Sequence, residues 1–324
     1  MPESTQKFSF EERISYLKEY GSHCMSFSAL QPGIQYFDIP GKGYIAYGQK
    51  WGRRGVLSDP VCNVKDRETL IGEFLQKGAP AAFAQVSEPV ARLLYEKFGF
   101  YATQFGIESI IDLKNWDLKG KKKQILRTSL NHAAKNNISI HENYTENRHD
   151  QLSGEWRKTR KVKHREIRFL IRPMHMDYEK ETRKFFAYQE DKLIGLIFFD
   201  PVYSHGKIIS YVPNISRFSR SFRQGIFYTI MIHAMGIFKK EGIKQIHLGL
   251  SAFAVSDTNT YYETGIPKKL VRFLYQHGNS IYSFKGIHFT KSRFRGTEYK
   301  TFCSHKGKLP FREIIALFKI SNFF

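Results

Sequence analysis

No apolar run in this sequence approaches the roughly 18–20 residues that a membrane-spanning helix needs. The first residues, Met-Pro-Glu-Ser-Thr-Gln-Lys, lack the charged start and apolar block of a secretory leader. A cytoplasmic chain, soluble or peripherally bound at the inner face of the membrane, is the expectation. Cysteine is scarce: Cys24, Cys62 and Cys303 are odd in number and widely spaced. That pattern suggests neither a disulfide framework nor a zinc site, and it suits a reducing compartment. Acid is scarce as well, with 30 Asp and Glu against 51 Lys and Arg, for a net charge of +21 and a pI near 9.7. So large an excess favours a polyanionic partner, either nucleic acid or anionic lipid. Low-complexity tracts and short-period repeats are missing too. What is present is a core: 41% hydrophobic and 15% aromatic residues exclude a disordered chain. A length of 324 residues accommodates two ordinary domains.

Strand and helix signals alternate, which predicts an α/β fold. In the first half, helical spacing runs over Phe10–Tyr20, Glu68–Gln76 and Pro89–Phe98, the last closed by Gly99. A hairpin is expected over Ile34–Tyr47, a turn at Ser58-Asp59-Pro60, and strands at Ala81–Val86 and Ser109–Leu113. In the second half, a helix is expected from Trp156 to Lys163 and a hairpin from Lys184 to Asp200. A strand follows at Ile208–Val212, then an irregular stretch from Pro213 to Gln224. Gly225 opens a helix to Lys240, closed by Gly242, and Gln245–Leu250 is the next strand. Lys268–His277 reads as helix, and Tyr282–Phe289 as the start of a last strand region. This order resembles an acetyltransferase-like (GNAT) domain. The expectation is two such domains in tandem with mixed central sheets: residues 1–117, a basic connecting helix over 118–140, and a catalytic unit over 141–324.

The basic helix is the strongest local signal. Lys121, Lys122, Lys123, Arg127 and Lys135 follow the turn at Gly120 with no acid among them. A helix carrying one sign of charge repels itself and calls for an anionic partner. Apolar Ile125, Leu126, Leu130, Ala133 and Ala134 recur at helical spacing and give it a packing face. A second cluster, Arg157, Lys158, Arg160, Lys161, Lys163, His164, Arg165 and Arg168, follows closely. Contacts of this kind with phosphates make binding strongly salt-dependent. A solvated charge run is the plain alternative.

The segment from Phe105 to Asn137 resembles a signature of the aminoacyl-phosphatidylglycerol synthases (the multiple peptide resistance factor family), in their soluble catalytic domain. The matching features are Glu108, the apolar strand after it, Leu118-Lys119-Gly120-Lys121, then Leu126-Arg127 and Asn131 on the basic helix. Leu248-Gly249-Leu250-Ser251-Ala252-Phe253 is similar to the family's Leu-Gly-Met-Ala-Pro-Leu. The stretch Tyr282 to Phe294 matches at Phe284, Gly286, Lys291, Arg293 and Phe294. The resemblance implies the tandem fold and passage of an amino acid from aminoacyl-tRNA to an anionic phospholipid such as phosphatidylglycerol. It implies no cofactor and no metal. It also implies that the niche at Gly225, after Arg223, holds the aminoacylated end of the tRNA. Lys119, Lys122, Lys123, Arg127 and Asn131 would meet phosphate, and Lys291 would stabilise the oxyanion of ester attack. His288 and Glu298 are candidates for proton transfer, with Gly249, Ser251 and Arg293 beside the substrate. Gly225, Gly249, Lys291, His288 and Glu298 each have an ordinary structural alternative.

Two departures concern the substrates. Where the family continues Asp-Pro-x-Trp-Glu, this chain has Arg295-Gly296-Thr297-Glu298-Tyr299. Where it places Asp-Leu-Met-Arg on a helix, this chain has Phe227-Tyr228-Thr229-Ile230. Asn214, Arg217 and Arg220 in the preceding stretch are the expected substitutes. The tail concentrates Phe311, Ile314, Ile315, Leu317, Phe318, Phe323 and Phe324 around few charges, as an interfacial helix or a final core helix does. Two other readings stay open. One is an acyl-coenzyme-A-dependent N-acyltransferase, although the turn at Gly225 offers a single glycine. The other is a non-catalytic RNA or membrane-surface binder.

Overall fold

The computed structural model describes residues 7–143, 152–154, 168–219, 225–258, 260–277, 283–308 and 310–322. The first half contains α1 (Phe10–Tyr20), β1 (Gln35–Ile39), β2 (Gly43–Lys50), β3 (Arg53–Leu57), β4 (Val61–Cys62), α2 (Arg67–Gln76), β5 (Ala81–Val86), α3 (Glu88–Phe98) and β6 (Tyr101–Asp112). Then come α4 (Gln124–Lys135), β7 (Ile138–Glu142), β8 (Arg183–Gln189), β9 (Lys192–Ser204), β10 (Lys207–Phe218) and α5 (Ile226–Lys240). The chain finishes with β11 (Gln245–Ala252), α6 (Gly265–His277), α7 (Phe284–Ser292), β12 (Thr297–His305) and α8 (Phe311–Ile320). None of the described helices is long and apolar enough to cross a membrane.

One mixed sheet runs through the molecule in the order β1-β2-β3-β5-β12-β6-β11-β10-β9-β8-β7, with β4 paired to β2. β3–β5 and β10–β11 are parallel; the other pairs are antiparallel. Late in sequence, β12 inserts between two early strands, so the centre of the sheet is built from both ends of the chain. The local signals that set the elements are ordinary ones. Ser9 and Glu12 close a capping box on α1. Gly99, at φ +63, ends α3 in the left-handed conformation that glycine adopts without penalty. β5 is buried at all six positions, apolar except for Gln85, as a strand covered on both faces requires.

Two expectations are corrected. The stretch from Pro213 onward is not irregular through its whole length, because β10 continues to Phe218. The strand carries Pro213 at a register shift between Pro213 and Ile215, where a missing N–H leaves the ladder intact. The segment that opens at Tyr282 is not a strand: from Phe284 to Ser292 it is helix α7. Phe284 anchors it by packing 4.8 Å from the Phe253 ring, and residues three and four apart then share the inward face. The expected helix over Trp156–Lys163 lies outside the described residues, as do Tyr282, Phe323 and Phe324.

Candidate functional site

The site arises where two neighbouring strands part. β5 and β12 pair only at Phe302↔Val86 and Ser304↔Phe83. Beyond Val86 the chain turns into α3. Its first turn is fixed by Asp59, which accepts from the Ser87 N–H at 2.8 Å and from the Ser87 hydroxyl at 2.6 Å. The first half of β12 continues beside β6 alone. Into the gap opens a cavity of about 360 Å³ lined by Ser22, His23 and Cys24 after α1, the start of α3, Glu108 and Ile110 of β6, His247 of β11, and Tyr299 to Thr301 of β12. Glu108 comes from the expected first domain and His247 from the last, so the cavity needs both.

Glu108 is the hub. It is 6% exposed and its Oε1 lies 2.6 Å from His247 Nδ1. An ionised carboxylate only accepts, so Nδ1 carries the proton, and whenever the ring is in its neutral form Nε2 is the nitrogen left as a base. Burial opposes ionisation of Glu108. The hydrogen bond and charge of His247, with His23 and Cys24 adding to them, outweigh it and bring the carboxyl down to about 2. His23 Nδ1 receives the Met25 N–H at 3.1 Å and lies 2.9 Å from the Ser58 hydroxyl, and its Nε2 has no hydrogen bond among the described residues. Cys24 Sγ receives the Gln85 amide at 3.7 Å. Burial first, then the neighbouring Glu108, pushes the Cys24 thiol well up, so it stays protonated. Ser58 and Gln85, which support these two side chains, both sit at positive φ, 71° and 54°. Strained backbone of this kind persists where the surroundings hold it and is common at functional sites.

Lys291 adjoins this group. Its Nζ donates to the Leu250 carbonyl at 2.8 Å. That carbonyl follows a bulge in β11 between His247 and Leu250. Gly249, at φ +70, makes the bulge possible: a Cβ there would stand 3.5 Å from Lys291 Nζ. Burial lowers the Lys291 ammonium to about 8, with Glu108 and then Cys24 pulling in the opposite direction. His23, Cys24 and Glu108 also bring ligand-type atoms within 4.8 Å of one another and are the described residues that could hold a metal ion. The positive charge of Lys291 is felt by Glu108 and Cys24, so a cation held there would add a second positive charge beside it.

The residues expected from sequence distribute unevenly. Lys291, Gly249 and Ser251 come together around β11; Ser251 is buried opposite Ile107, and its hydroxyl has no hydrogen-bond partner among the described residues. His288 lies on α7 with Lys291, its ring 6.2 Å from the Tyr275 ring. Arg293, just past α7, lies 3.7 Å over the Phe289 ring. Glu298 is exposed in β12 opposite Ser109 and does not line the cavity. On the basic helix, Lys123 stacks over Trp116 at 4.7 Å, donates to the Asp117 carbonyl at 2.7 Å, and stands 3.8 Å from the Asp117 carboxylate. Arg127 donates to the Leu118 and Gly120 carbonyls at 2.6 and 2.9 Å. These two cations therefore fasten the loop before α4, and Asp117 is the acid that the reading of the helix alone did not supply. Lys119, Lys122 and Asn131 are exposed.

Asn214 donates to Asp200 at 2.7 Å and to Ser28 at 2.6 Å, and Arg217 is buried with Nη1 on the Ser216 carbonyl at 3.0 Å. Gly225 packs α5 against α4, since a Cβ there would come within 2.8 Å of the Ser129 hydroxyl. Arg220, Arg223 and the basic cluster from Arg157 to Arg165 lie outside the described residues.

Glu108, His247, His23 and Cys24 were missed as site residues. The signal for the first two was present: one acid inside Ile107–Ile111 and one histidine between Ile246 and Leu248 interrupt otherwise apolar strands. A buried carboxylate in such a strand requires a cationic or hydrogen-bonding partner.

Comparison with known proteins agrees with the sequence resemblance. A family model described as phosphatidylglycerol lysyltransferase, C-terminal, matches residues 14–305. A phosphatidylglycerol lysyltransferase of Bacillus subtilis is 24% identical over 296 residues, 88% of this chain and 34% of that protein. The chain thus spans about a third of the length of the curated relatives it matches. The structure of L-PGS from Bacillus licheniformis superposes with a TM-score of 0.81 at 21% identity, covering 98% of this chain and 99% of that one. A C-terminal DUF2156 domain from Agrobacterium fabrum follows at 0.78 and 20%, covering 97% of each. The fold is therefore the expected mixed α/β arrangement of the tandem GNAT-like type.

Proposed function

The chain belongs to the family of phosphatidylglycerol lysyltransferase C-terminal domains, and from that premise we propose that it moves an amino acid from an aminoacyl-tRNA to phosphatidylglycerol or a related anionic phospholipid. The reading gives the cluster of Glu108, His247 and Lys291 its chemistry. An acceptor hydroxyl in the cavity loses its proton to His247 Nε2 while its oxygen attacks the aminoacyl carbonyl. Lys291 offers positive charge to the oxyanion that forms. The ester bond to the tRNA then breaks, and the imidazolium returns its proton to the departing hydroxyl. Glu108 keeps the imidazole in the tautomer that this requires. One ester is exchanged for another, so positioning and charge stabilisation suffice. Exposed Lys119, Lys121 and Lys122 would meet the phosphates of the tRNA, working at the cytoplasmic face of the membrane where that donor is found.

The observation that carries the proposal is the 2.6 Å contact between His247 and Glu108 on the cavity wall, with Lys291 beside it. The coenzyme-A alternative draws no support from Gly225, whose freedom is used in close packing against Ser129. The test is incubation with total charged tRNA and phosphatidylglycerol, one labelled amino acid at a time, with mass spectrometry of the lipids. His247→Gln should lower kcat by about 10²–10⁴-fold with salt-dependent tRNA binding intact. Salt-dependent RNA binding by the wild-type chain without lipid product from any donor would leave the binder reading in its place.

A further inference from the structure

The C-terminal helix has two faces with different uses. Inward, Leu317 and Ile320 settle on the β2–β3 hairpin at two glycines. A Cβ on Gly55 would meet Leu317 at 2.6 Å, and one on Gly48 would meet Ile320 at 2.5 Å. Outward, Phe311 and Ile315 stand one turn apart and remain 57% and 43% exposed. At the tip of the same hairpin Trp51 is 66% exposed, with the Lys319 ammonium 5.5 Å from its ring. Lys50, Lys308 and Arg312 are exposed around this stripe. Its one acid, Glu313, is paired with Arg53 at 2.6 Å.

We propose that the outer face of α8, together with the Trp51 hairpin tip, docks the protein on an anionic phospholipid bilayer. Apolar side chains framed by cations, with a tryptophan at the rim, are what an interfacial helix presents to such a surface. The lysine and arginine stems lie along the apolar stripe while their charges reach the headgroups. A protein partner fits less well. A helix about 15 Å long covers little of the roughly 800 Å² per side that a stable interface uses, whereas a bilayer needs only a few inserted side chains. Leu317 shares its core cluster with Cys24, Leu57 and Cys303. The docking face and the His23–Cys24 loop are thus on one side of the sheet, where a headgroup drawn from the bilayer would meet the cavity. The docking stands apart from the transferase reading, and only this last consequence rests on it.

Flotation with vesicles requires no turnover and so separates the two. The wild-type chain should float with phosphatidylglycerol vesicles and stay behind with phosphatidylcholine vesicles. Phe311→Ser/Ile315→Ser, both at exposed positions, should bind phosphatidylglycerol vesicles about tenfold more weakly with an unchanged thermal melt. In the same vesicles brominated lipid should quench wild-type fluorescence more than that of Trp51→Phe. Equal flotation of the double variant, equal binding to neutral vesicles, or a wild-type dimer that the double variant converts to monomer would each overturn the proposal.

Discussion

Replacing Lys291 by Met should make the protein more stable and less active at once. Lys291 is held with its ammonium lowered from 10.5 to about 8, chiefly by burial. At about 1.4 kcal/mol per tenfold change in acidity, the full shift is roughly 3 kcal/mol of stability lost by keeping the charged form folded. The side chain is partly open, so water recovers some of this, and about 2 kcal/mol is the expected gain for Lys291→Met at pH 7. The sign follows from linkage. The folded-state value is depressed, so the cost is fully present below pH 8, where both folded and unfolded chains are protonated. It fades as pH rises from about 8 to 10.5 and vanishes once the unfolded lysine has also lost its proton. Urea unfolding of both proteins from pH 7 to 10.5 reads the gap directly, and other titrating groups cancel in the difference. Turnover should meanwhile fall by about 10²–10³-fold, the usual effect of removing one oxyanion donor. Wild-type turnover should itself decline above pH 8 as the ammonium is lost. A variant less stable than wild type at pH 7, or a gap that does not change with pH, would show that Lys291 is not held in this unfavourable state.

Three further outcomes follow from the same geometry. Glu108 is depressed to about 2, so its contribution is present above its unfolded value near 4.5 and is lost as pH falls from there toward 2; Glu108→Gln should be less stable by roughly 3 kcal/mol at pH 7, with the difference closing in acid, as urea melts at several pH values will show. Gly225→Ala meets both a positive φ of 91° and a 2.8 Å approach to Ser129, and should cost about 1–3 kcal/mol; Ser129→Gly on the second site should restore only the part due to the contact. Asp200→Asn leaves Arg172 buried with its main partner neutralised and should cost about 3–5 kcal/mol in denaturant unfolding.

The parts of the fold legible in the sequence were those fixed by local chemistry. α1 spans Phe10–Tyr20 as expected, between Ser9 and Gly21, and α3 ends at Gly99 as expected, starting one residue earlier, at Glu88 after Ser87. The Glu190-Asp191 turn joined β8 to β9 for the same reason. The sequence around Phe284 misled because Gly286 and a mixed apolar pattern suit strand and helix equally, and the choice falls to tertiary contact with Phe253. At the site, Lys291 and Gly249 could be singled out by motif, but their partners could not. His247 meets Glu108 across 139 residues, through a strand pair whose register no local signal encodes. The basic helix shows the opposite failure. Its charge was visible, but Lys123 and Arg127 are turned back onto Asp117, Leu118 and Gly120, which lie just outside the helical window.

Two of the buried ionic groups among the described residues differ in a way that supports the proposed site. Arg172 and Asp200 are both closed to solvent. Arg172 Nε and Nη2 donate to Asp200 at 2.7–2.9 Å. Its Nη1 reaches the Pro173 carbonyl and Glu179, while Asn214 supplies Asp200 with a further donor. All three guanidinium nitrogens and both carboxylate oxygens are used, which is how a charge is buried for structure. The second group is left incomplete. Lys291 has three N–H donors and one described acceptor, the Leu250 carbonyl, and among the described residues it makes no ion pair with Glu108. His247 has used one ring nitrogen and His23 likewise, so each keeps Nε2. Beside one saturated charge network, the unused donors and acceptors at the cavity are the groups that the proposed function asks a bound molecule to complete.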